Sequence, residues 1–183
     1  MRDFLIWCIM DLPSLTLKTN FETLCQQRRS IRKYTSEPVT AEQIDYILRC
    51  ALMSPSSKRT NPWEFYVKTK DLQPLSACKT YGSQMFETAQ AAIAVALDAS
   101  LTDTWQADGA IAAEHILLAA EDCGLGACWC HIYQREEAEQ LAHTVFDIPA
   151  NLSVLCVISL GHKDEERKPY NAEKLLYNKI HTL

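Results

Sequence analysis

The segment from residue 106 to residue 122 (QADGAIAAEHILLAAED) constrains the fold of this chain more than any other. Wound as a helix, it is apolar on nearly every side, and such a helix is stable only when other elements cover it. Gly124 follows it as a left-handed helix stop. The chain has 183 residues, 48% of them apolar, which is enough for one domain built around a buried central helix.

The other segments predict an α+β domain. Four short apolar runs predict strands, at residues 63–68, 91–97, 127–133 and 153–160. Helices are predicted after the caps Asn20 and Thr40, over residues 135–145 and from Ala172 onward, and Thr40 forms a capping box with Gln43. Because strands and helices do not alternate in strict βαβ units, we expect a central sheet of about four strands with helices on its faces.

No repeat, low-complexity run or Pro/Gly-rich linker divides the sequence. We therefore predict an N-terminal arm or extension over residues 1–18 and a single domain over residues 19–183. The arm is expected to pack on the domain or on a partner subunit, because its apolar run of seven residues is too short for a signal peptide. No stretch approaches the roughly 20 apolar residues that span a bilayer, so no membrane partner is predicted.

Charge and cysteine content exclude further classes. The chain has 18 Lys and Arg against 23 Asp and Glu, a formal net charge of −5. That sign disfavours nucleic acid and acidic membranes as partners. The eight cysteines are scattered through a chain too large to need disulfide staples, which predicts free thiols in a reducing cytoplasm.

Signature motifs of several enzyme classes are missing. The sequence has no GxGxxG, Walker A, HExxH or GxSxG pattern, which disfavours a dedicated dinucleotide fold, an ATPase, a zinc protease and a serine hydrolase. The one tight group of metal-ligand types consists of Cys123, Cys128, Cys130 and His131. It lacks a CxxC spacing, so no metal site is predicted, and bound zinc stays the alternative.

Two basic clusters are the strongest chemical signal. The first, which we call the basic segment (residues 28–34, RRSIRKY), places three guanidinium groups and a hydroxyl within five residues, an arrangement that suits a phosphate. In an acidic chain it favours a small phosphorylated ligand over a polyanion. Arg167 and Lys168 follow the last strand and are candidates to complete the same site. The alternative for both clusters is solvated surface charge, which the dipole favours at a helix end.

The serine loop (residues 54–61, SPSSKRTN) is the second informative stretch. It contains Pro55 and two adjacent serines, and Pro62 follows it before a strand that starts at Trp63. This composition describes a stiff loop that displays hydroxyl and amide groups. An ordinary connecting loop explains this composition equally well. It does not explain the basic cluster that lies one helix upstream.

Together these segments resemble the nitroreductase family of FMN-dependent NAD(P)H oxidoreductases. The resemblance rests on RRSIRKY (28–34), SPSSKRTNPWEF (54–65), AAEHILLAAEDCGLGACW (112–129) and Gly161 with its basic tail, and it covers roughly residues 20–181. It implies a nitroreductase-like fold: a mainly antiparallel central sheet of four to five strands flanked by helices. It also implies a domain-intertwined homodimer that binds FMN at the subunit interface with residues of both chains.

The resemblance also implies which residues bind FMN. They are Arg28, Arg29, Ser30, Arg32, Pro55, Ser56, Ser57, Asn61, Cys128, Trp129, His131, Ile132, Arg167 and Lys168. The basic segment is expected at the phosphate and ribityl chain, with Arg32 near the flavin N1/O2 edge, where a cation stabilises the charge of the reduced ring. The serine loop is expected to reach the partner's flavin. The backbone amides near residues 131 and 132 are expected to donate toward N5 and O4.

The stretch after Trp129 departs from the family pattern. Many relatives have a glycine or another small residue soon after the tryptophan, whereas this chain continues with Cys130, His131, Ile132 and Tyr133. Two interpretations stay open. Either only the backbone amides matter, or His131 faces the flavin and narrows the cavity or donates a proton. No other catalytic acid or base is assigned.

The implied activity is hydride transfer from NADH or NADPH, through flavin N5, to a nitroaromatic, a quinone or a similar small-molecule acceptor. One site shared by donor and acceptor predicts ping-pong kinetics. The alternatives are a flavoprotein of the same fold with another reaction, such as reductive dehalogenation or flavin fragmentation, and a non-catalytic flavin-binding protein.

Overall fold

Four antiparallel strands form the sheet of the computed structural model, which describes residues 20–182. The strands are β1 (Trp63–Lys68), β2 (Ala91–Leu97), β3 (Gly126–His131) and β4 (Ser153–Gly161). They lie in the order β1-β2-β4-β3, and every neighbouring pair is antiparallel. The predicted central sheet is confirmed. The predicted arm over residues 1–18 lies outside the described residues.

Helices begin where the sequence predicts caps. The helices are α1 (Phe21–Gln27), α2 (Ala41–Leu52), α3 (Trp105–Asp122) and α4 (Glu136–Phe146). The side chain of Asn20 accepts a bond from Thr23 N at 3.2 Å, and Thr40 and Gln43 form the predicted capping box. Gly124 has a φ of +82° and follows the end of α3, as expected. Within residues 20–182, no helix is both long and apolar enough to cross a bilayer.

Helix α3 is the predicted central helix, and a glycine brings it close to the sheet. A Cβ on Gly109 would lie 2.8 Å from a methyl carbon of Leu155 and 2.9 Å from those of Leu97, so only a glycine allows this approach. Half of the helix, nine of its 18 residues, is buried, and Ala107, Ala110, Ile111 and Glu114 form an exposed stripe. The expectation of a helix covered on nearly every side is therefore wrong for this one stripe.

Hydrophobic side chains cover both faces of the sheet. Helices α2 and α3 pack on one face, where Ile47 and Ile116 are fully buried. Helix α4 packs on the other face with the 3₁₀ segments Gln73–Cys78 and Gln84–Glu87, around the fully buried Phe86. Because β2 and β4 are covered on both faces, their sequences are nearly continuous apolar runs rather than alternating ones.

The predicted end of β3 and the predicted C-terminal helix are both wrong. Strand β3 ends at His131 rather than at Tyr133, because the N–H groups of Ile132 and Tyr133 both turn to the Leu155 carbonyl, at 3.0 and 3.2 Å. The helix predicted from Ala172 onward is two separate 3₁₀ turns, Ala172–Lys174 and Tyr177–Lys179. The side chains of residues 173–182 are exposed, so no packing against the core supports a longer helix there.

Candidate functional site

The basic segment crosses the end of the sheet at which β3 begins and β4 ends. Ile31 N–H donates to the Ala127 carbonyl of β3 at 3.0 Å. On the other side, Asp164 N–H donates to the Lys33 carbonyl at 3.0 Å. The segment is thus held between β3 and the tail turn, our name for residues 162–169 (HKDEERKP) after β4. This arrangement brings the two basic clusters of the sequence to one place.

Two glycines make that crossing sterically possible. Gly126 and Gly161 are cross-strand partners in β3 and β4. A Cβ on Gly126 would lie 2.7 Å from Cγ2 of Ile31, and a Cβ on Gly161 would lie 2.8 Å from Cβ of Tyr34. Sequence analysis noted Gly161 only as part of the family motif and missed its contact with the basic segment, because that contact is tertiary.

Tyr34 anchors the basic segment to β4. Its hydroxyl donates to the Ile31 carbonyl at 2.6 Å and lies 2.7 Å from Ser159 Oγ in β4. The side chain is buried, and burial raises the pKa of Tyr34 well above its ordinary value. The phenol is therefore a neutral structural group at physiological pH.

Arg29 connects the basic segment directly to the tail turn. Its Nη1 donates to the carbonyl of Lys168, and its guanidinium lies 5.0 Å from the centroid of the Tyr170 ring. Both contacts hold the cation at the surface of an open cleft of about 790 Å³. The residues lining this cleft are Gln27, Arg29, Ile31, Lys163, Asp164, Glu165, Glu166, Arg167, Lys168 and Pro169.

Arg32 and Arg167 meet at a carboxylate. The backbone N–H of Arg32 donates to Glu165 Oε1 at 2.5 Å, and Arg167 Nη2 lies 2.6 Å from Glu165 Oε2. Both arginines also line an adjoining cavity of about 480 Å³, whose far wall comes from residues 82–88. Sequence analysis considered only the cations of the tail turn and therefore missed Glu165.

Arg28 and Ser30 lie on the same segment but do not line the cleft. Arg28 Nε is 3.8 Å from Oε1 of Glu114 on α3, so its side chain points away from that of Arg29, as expected for neighbours in extended backbone. Ser30 pairs with Ala127 of β3 through a parallel bridge. Of the predicted phosphate residues, Arg29, Arg167 and Lys168 are therefore the ones that line one cleft.

The serine loop lies at the opposite end of the sheet. The Pro62 carbonyl accepts a bond from Asp98 N at 2.8 Å, which fixes the loop where β1 begins and β2 ends. The basic segment lies where β4 ends, and nine strand residues separate the two ends by roughly 27 Å. Within one chain, Pro55, Ser56, Ser57 and Asn61 are therefore not brought together with the basic segment.

The serine loop is strained and tightly bonded. Lys58, Arg59 and Asn61 have φ values of 50°, 57° and 45°, in the left-handed region that ordinary residues avoid. Asn61 N–H donates to Ser56 Oγ at 3.0 Å, and that hydroxyl donates to Asn61 Oδ1 at 2.8 Å. Three strained residues within four positions are typical of a functional loop whose surroundings hold it in place.

A buried carboxylate helps to hold this loop, and sequence analysis missed it. Ser57 N–H donates to Oδ1 of Asp108, in the first turn of α3, at 3.0 Å. Asp108 is only 4% exposed, and its Oδ2 has no hydrogen-bond partner in the described part of the chain. The available signal was an acidic residue in the first turn of the helix predicted to be central.

Strand β3 forms an edge of the sheet in residues 20–182 and exposes backbone groups along it. The Ala127 carbonyl faces outward to Ile31, so the alternation of an antiparallel strand also directs the backbone groups of Trp129 and His131 away from β4. Ile132 differs, because its N–H is bonded to Leu155 inside the sheet. Of the two amides expected near flavin N5 and O4, that of His131 lies at the open edge.

The side chains of β3 alternate between the two cores. Cys128 and Cys130 are buried, and burial raises the pKa of both thiols, so neither is a reactive thiolate. His131 is half-buried; burial and the nearby cations Lys79 and Arg135 lower the pKa of its imidazole below the ordinary value. The ring is therefore neutral at pH 7. Lys79 is a further neighbour that sequence analysis missed.

The group of metal-ligand types does not converge. Cys128 and Cys130 belong to the core on the α4 side of the sheet, whereas Cys123 packs into the core on the α3 side. In residues 20–182, no three His, Cys, Asp or Glu side chains are grouped so that they could hold a metal ion.

An apolar groove of about 390 Å³ lies between α1, α2 and α3 on the outside of the domain. Phe21, which is 53% exposed, and Ile111, an exposed apolar residue of α3, lie along it. Exposed apolar side chains gathered in one groove are typical of surfaces that bind another protein.

Comparison with known proteins identifies the fold. The model of the family described as the nitroreductase family matches residues 25–106 and 70–162. An Archaeoglobus fulgidus protein, assigned by name to the NADH dehydrogenase/NAD(P)H nitroreductases, is 38% identical over 152 residues, which are 80% of this chain and 87% of that protein.

Two solved structures give the same result. The FMN-dependent nitroreductase from Clostridium difficile R20291 matches with a TM-score of 0.84 at 38% identity and covers 88% of this chain and 98% of that one. A nitroreductase-type protein from Desulfovibrio desulfuricans, solved in complex with FMN, matches with a TM-score of 0.68 at 29% identity, over 87% and 97% of the two chains. The predicted fold class is confirmed, and the chain belongs to the nitroreductase family.

Proposed function

We propose that this protein is an FMN-dependent NAD(P)H oxidoreductase that reduces a small conjugated acceptor such as a nitroaromatic or a quinone. The observation that carries the proposal is the junction of the basic segment with the tail turn, where Arg29 bonds to Lys168. Family membership supports it, as does the FMN bound to the related protein from Desulfovibrio desulfuricans.

The donor set at this junction fits the phosphate of FMN. Arg29, Arg167 and Lys168 line one cleft of about 790 Å³, and the Lys163 ammonium beside them is paired with Glu121 at 2.7 Å. One guanidinium group can donate two parallel hydrogen bonds to two oxygens of a phosphate. A phosphate monoester carries nearly two negative charges at neutral pH. Arg28 stays in the proposed set, because its partly exposed pair with Glu114 at 3.8 Å is worth little and leaves its guanidinium able to turn.

We assign separate tasks to the other residues. FMN supplies the chemistry when bound, since it accepts a hydride from the nicotinamide and delivers electrons to the acceptor. The guanidinium of Arg32 holds a positive charge beside the flavin ring, and the outward backbone N–H of His131 is a hydrogen-bond donor for that ring. A neutral imidazole favours the interpretation in which His131 acts through its backbone amide.

We further propose that the protein works as a homodimer with FMN at the subunit interface. The serine loop lies where β1 begins, and the basic segment is bonded to the opposite end of the sheet, roughly 27 Å away along β4, a distance longer than a flavin ring. If both contact FMN, they come from different chains. The apolar groove that contains Phe21 and Ile111 supports this arrangement as a surface for a second copy.

The test begins with an absorption spectrum of the purified protein, which we expect to show bound flavin. Anaerobic addition of NADH or NADPH should bleach the flavin band, and a nitroaromatic or a quinone should restore it with ping-pong kinetics. Flavin that binds but is not bleached by either nucleotide would favour the non-catalytic alternative. Protein that binds no FMN on reconstitution would contradict the proposal.

A further inference from the structure

The Glu165 carboxylate takes the donors that an anion would use at the junction of the two basic clusters. Oε1 accepts from the backbone N–H of Arg32 at 2.5 Å, and Oε2 lies 2.6 Å from Nη2 of Arg167. Each carboxylate oxygen thus has its own donor. The Glu165 side chain is only 14% exposed although it belongs to a surface turn.

Neighbouring acidic residues of the tail turn do not share these contacts. Asp164 and Glu166 are exposed, and both line the same cleft. Burial raises the pKa of Glu165, but the Arg32 N–H and the Arg167 guanidinium outweigh that effect and lower the pKa below its ordinary value. Glu165 is therefore ionised throughout the physiological pH range.

A phosphate monoester binds to the same kinds of donor that hold the Glu165 carboxylate. Backbone N–H groups and arginine forks are the usual partners of phosphate oxygens, and a carboxylate is the side chain that most resembles them in charge and geometry. A phosphate bound to Arg32 N–H and Arg167 must therefore displace Glu165. A flavin without a phosphate has no such requirement.

We propose that Glu165 is an intramolecular competitor for the phosphate of the flavin, and that it sets the affinity of the site for FMN. The inference rests on the proposed function, because it takes the junction as the phosphate site. Its consequence is specific: removal of the Glu165 charge strengthens binding of flavins that carry a phosphate and leaves binding of riboflavin unchanged.

The experiment compares Glu165→Gln with Glu166→Gln in the full-length protein, freed of flavin and titrated with FMN and with riboflavin. Both variants remove one negative charge from the same turn, so long-range electrostatics are matched. Glu165→Gln should bind FMN about tenfold more tightly than Glu166→Gln, the equivalent of one charge-assisted contact, with riboflavin affinity equal in both. Glu165→Ala should shift FMN affinity in the same direction.

Three results would overturn the inference. Equal FMN affinity of Glu165→Gln and Glu166→Gln, with wild-type protein binding FMN, would remove the competitor role and leave the proposed function intact. Equal tightening of FMN and riboflavin by Glu165→Gln would show a general change of the pocket instead. Wild-type protein that binds neither flavin would remove the proposed function and the inference together.

Discussion

Arg29 donates a hydrogen bond from its guanidinium to the backbone carbonyl of Lys168, 139 residues further along the chain. This bond joins the first and the last basic clusters of the sequence. It forms at the sheet end where Gly126 and Gly161 face each other in β3 and β4.

Gly161→Ala should displace the basic segment. The new Cβ would lie 2.8 Å from Tyr34, and such overpacking costs about 1–3 kcal/mol of unfolding free energy. FMN affinity should fall as well. Leu75→Ala is the control, because this side chain is fully buried on the α4 side of the sheet, away from the cleft and the serine loop, and its truncation should lower stability without loss of FMN affinity. Urea unfolding and FMN titration of both variants check this, and equal FMN affinities would refute it.

Arg28→Ala should weaken FMN binding by about 1.5–3 kcal/mol, the value of a charge-assisted contact. Stability should hardly change, because the partly exposed pair with Glu114 at 3.8 Å contributes little to folding. Arg49→Ala removes an equally basic side chain from an exposed pair on α2 and serves as the control. Unaltered FMN affinity in Arg28→Ala would remove Arg28 from the site.

Sequence patterns predicted the parts of this fold that depend on local structure. The capping box of Thr40 and Gln43 marks where its helix begins, and the apolar run at residues 91–97 forms the strand that its lack of polar residues allowed, covered on both faces. The end of β3 was misjudged for a physical reason. Apolar residues continue through Tyr133, while the strand pairing stops where two N–H groups share the Leu155 carbonyl.

The sequence predicted the cations of the candidate site but not the carboxylates that hold its backbone in place. Guanidinium groups clustered in sequence indicate an anion site without any structure. Asp108, which holds Ser57, and Glu165, which holds Arg32, act through contacts between residues distant in the chain. A single sequence carries no signal for such pairs beyond a charge in an unexpected place.

Acidification below neutral pH should destabilise the protein partly through His131. In the folded state, burial and the nearby cations Lys79 and Arg135 lower the pKa of His131 below its ordinary 6.5. Between the two values the unfolded chain binds more protons, so unfolding free energy falls as pH falls through 6.5 toward the folded pKa. His131→Gln should show a shallower decline from pH 7 downward in urea unfolding. An identical decline in both proteins would contradict the burial of this ring.

Ile111→Glu should separate the subunits of the proposed homodimer and release FMN at the same time. A charge in the apolar groove opposes association of two copies, and a flavin that contacts both chains loses half of its site. The sedimentation coefficient and the flavin content of the protein, measured over the same dilution series, should fall in parallel. A monomeric variant that keeps wild-type FMN affinity would show that one chain suffices.

The affinity ratio between FMN and riboflavin for the wild-type protein tests the central claim most directly, since the two ligands differ only by the phosphate. Two or more charge-assisted contacts from the junction predict that FMN binds at least about a hundredfold more tightly, and that Arg29→Ala and Arg167→Ala each reduce the ratio. Equal affinities for FMN and riboflavin would contradict a phosphate site at the meeting point of Arg29 and the tail turn.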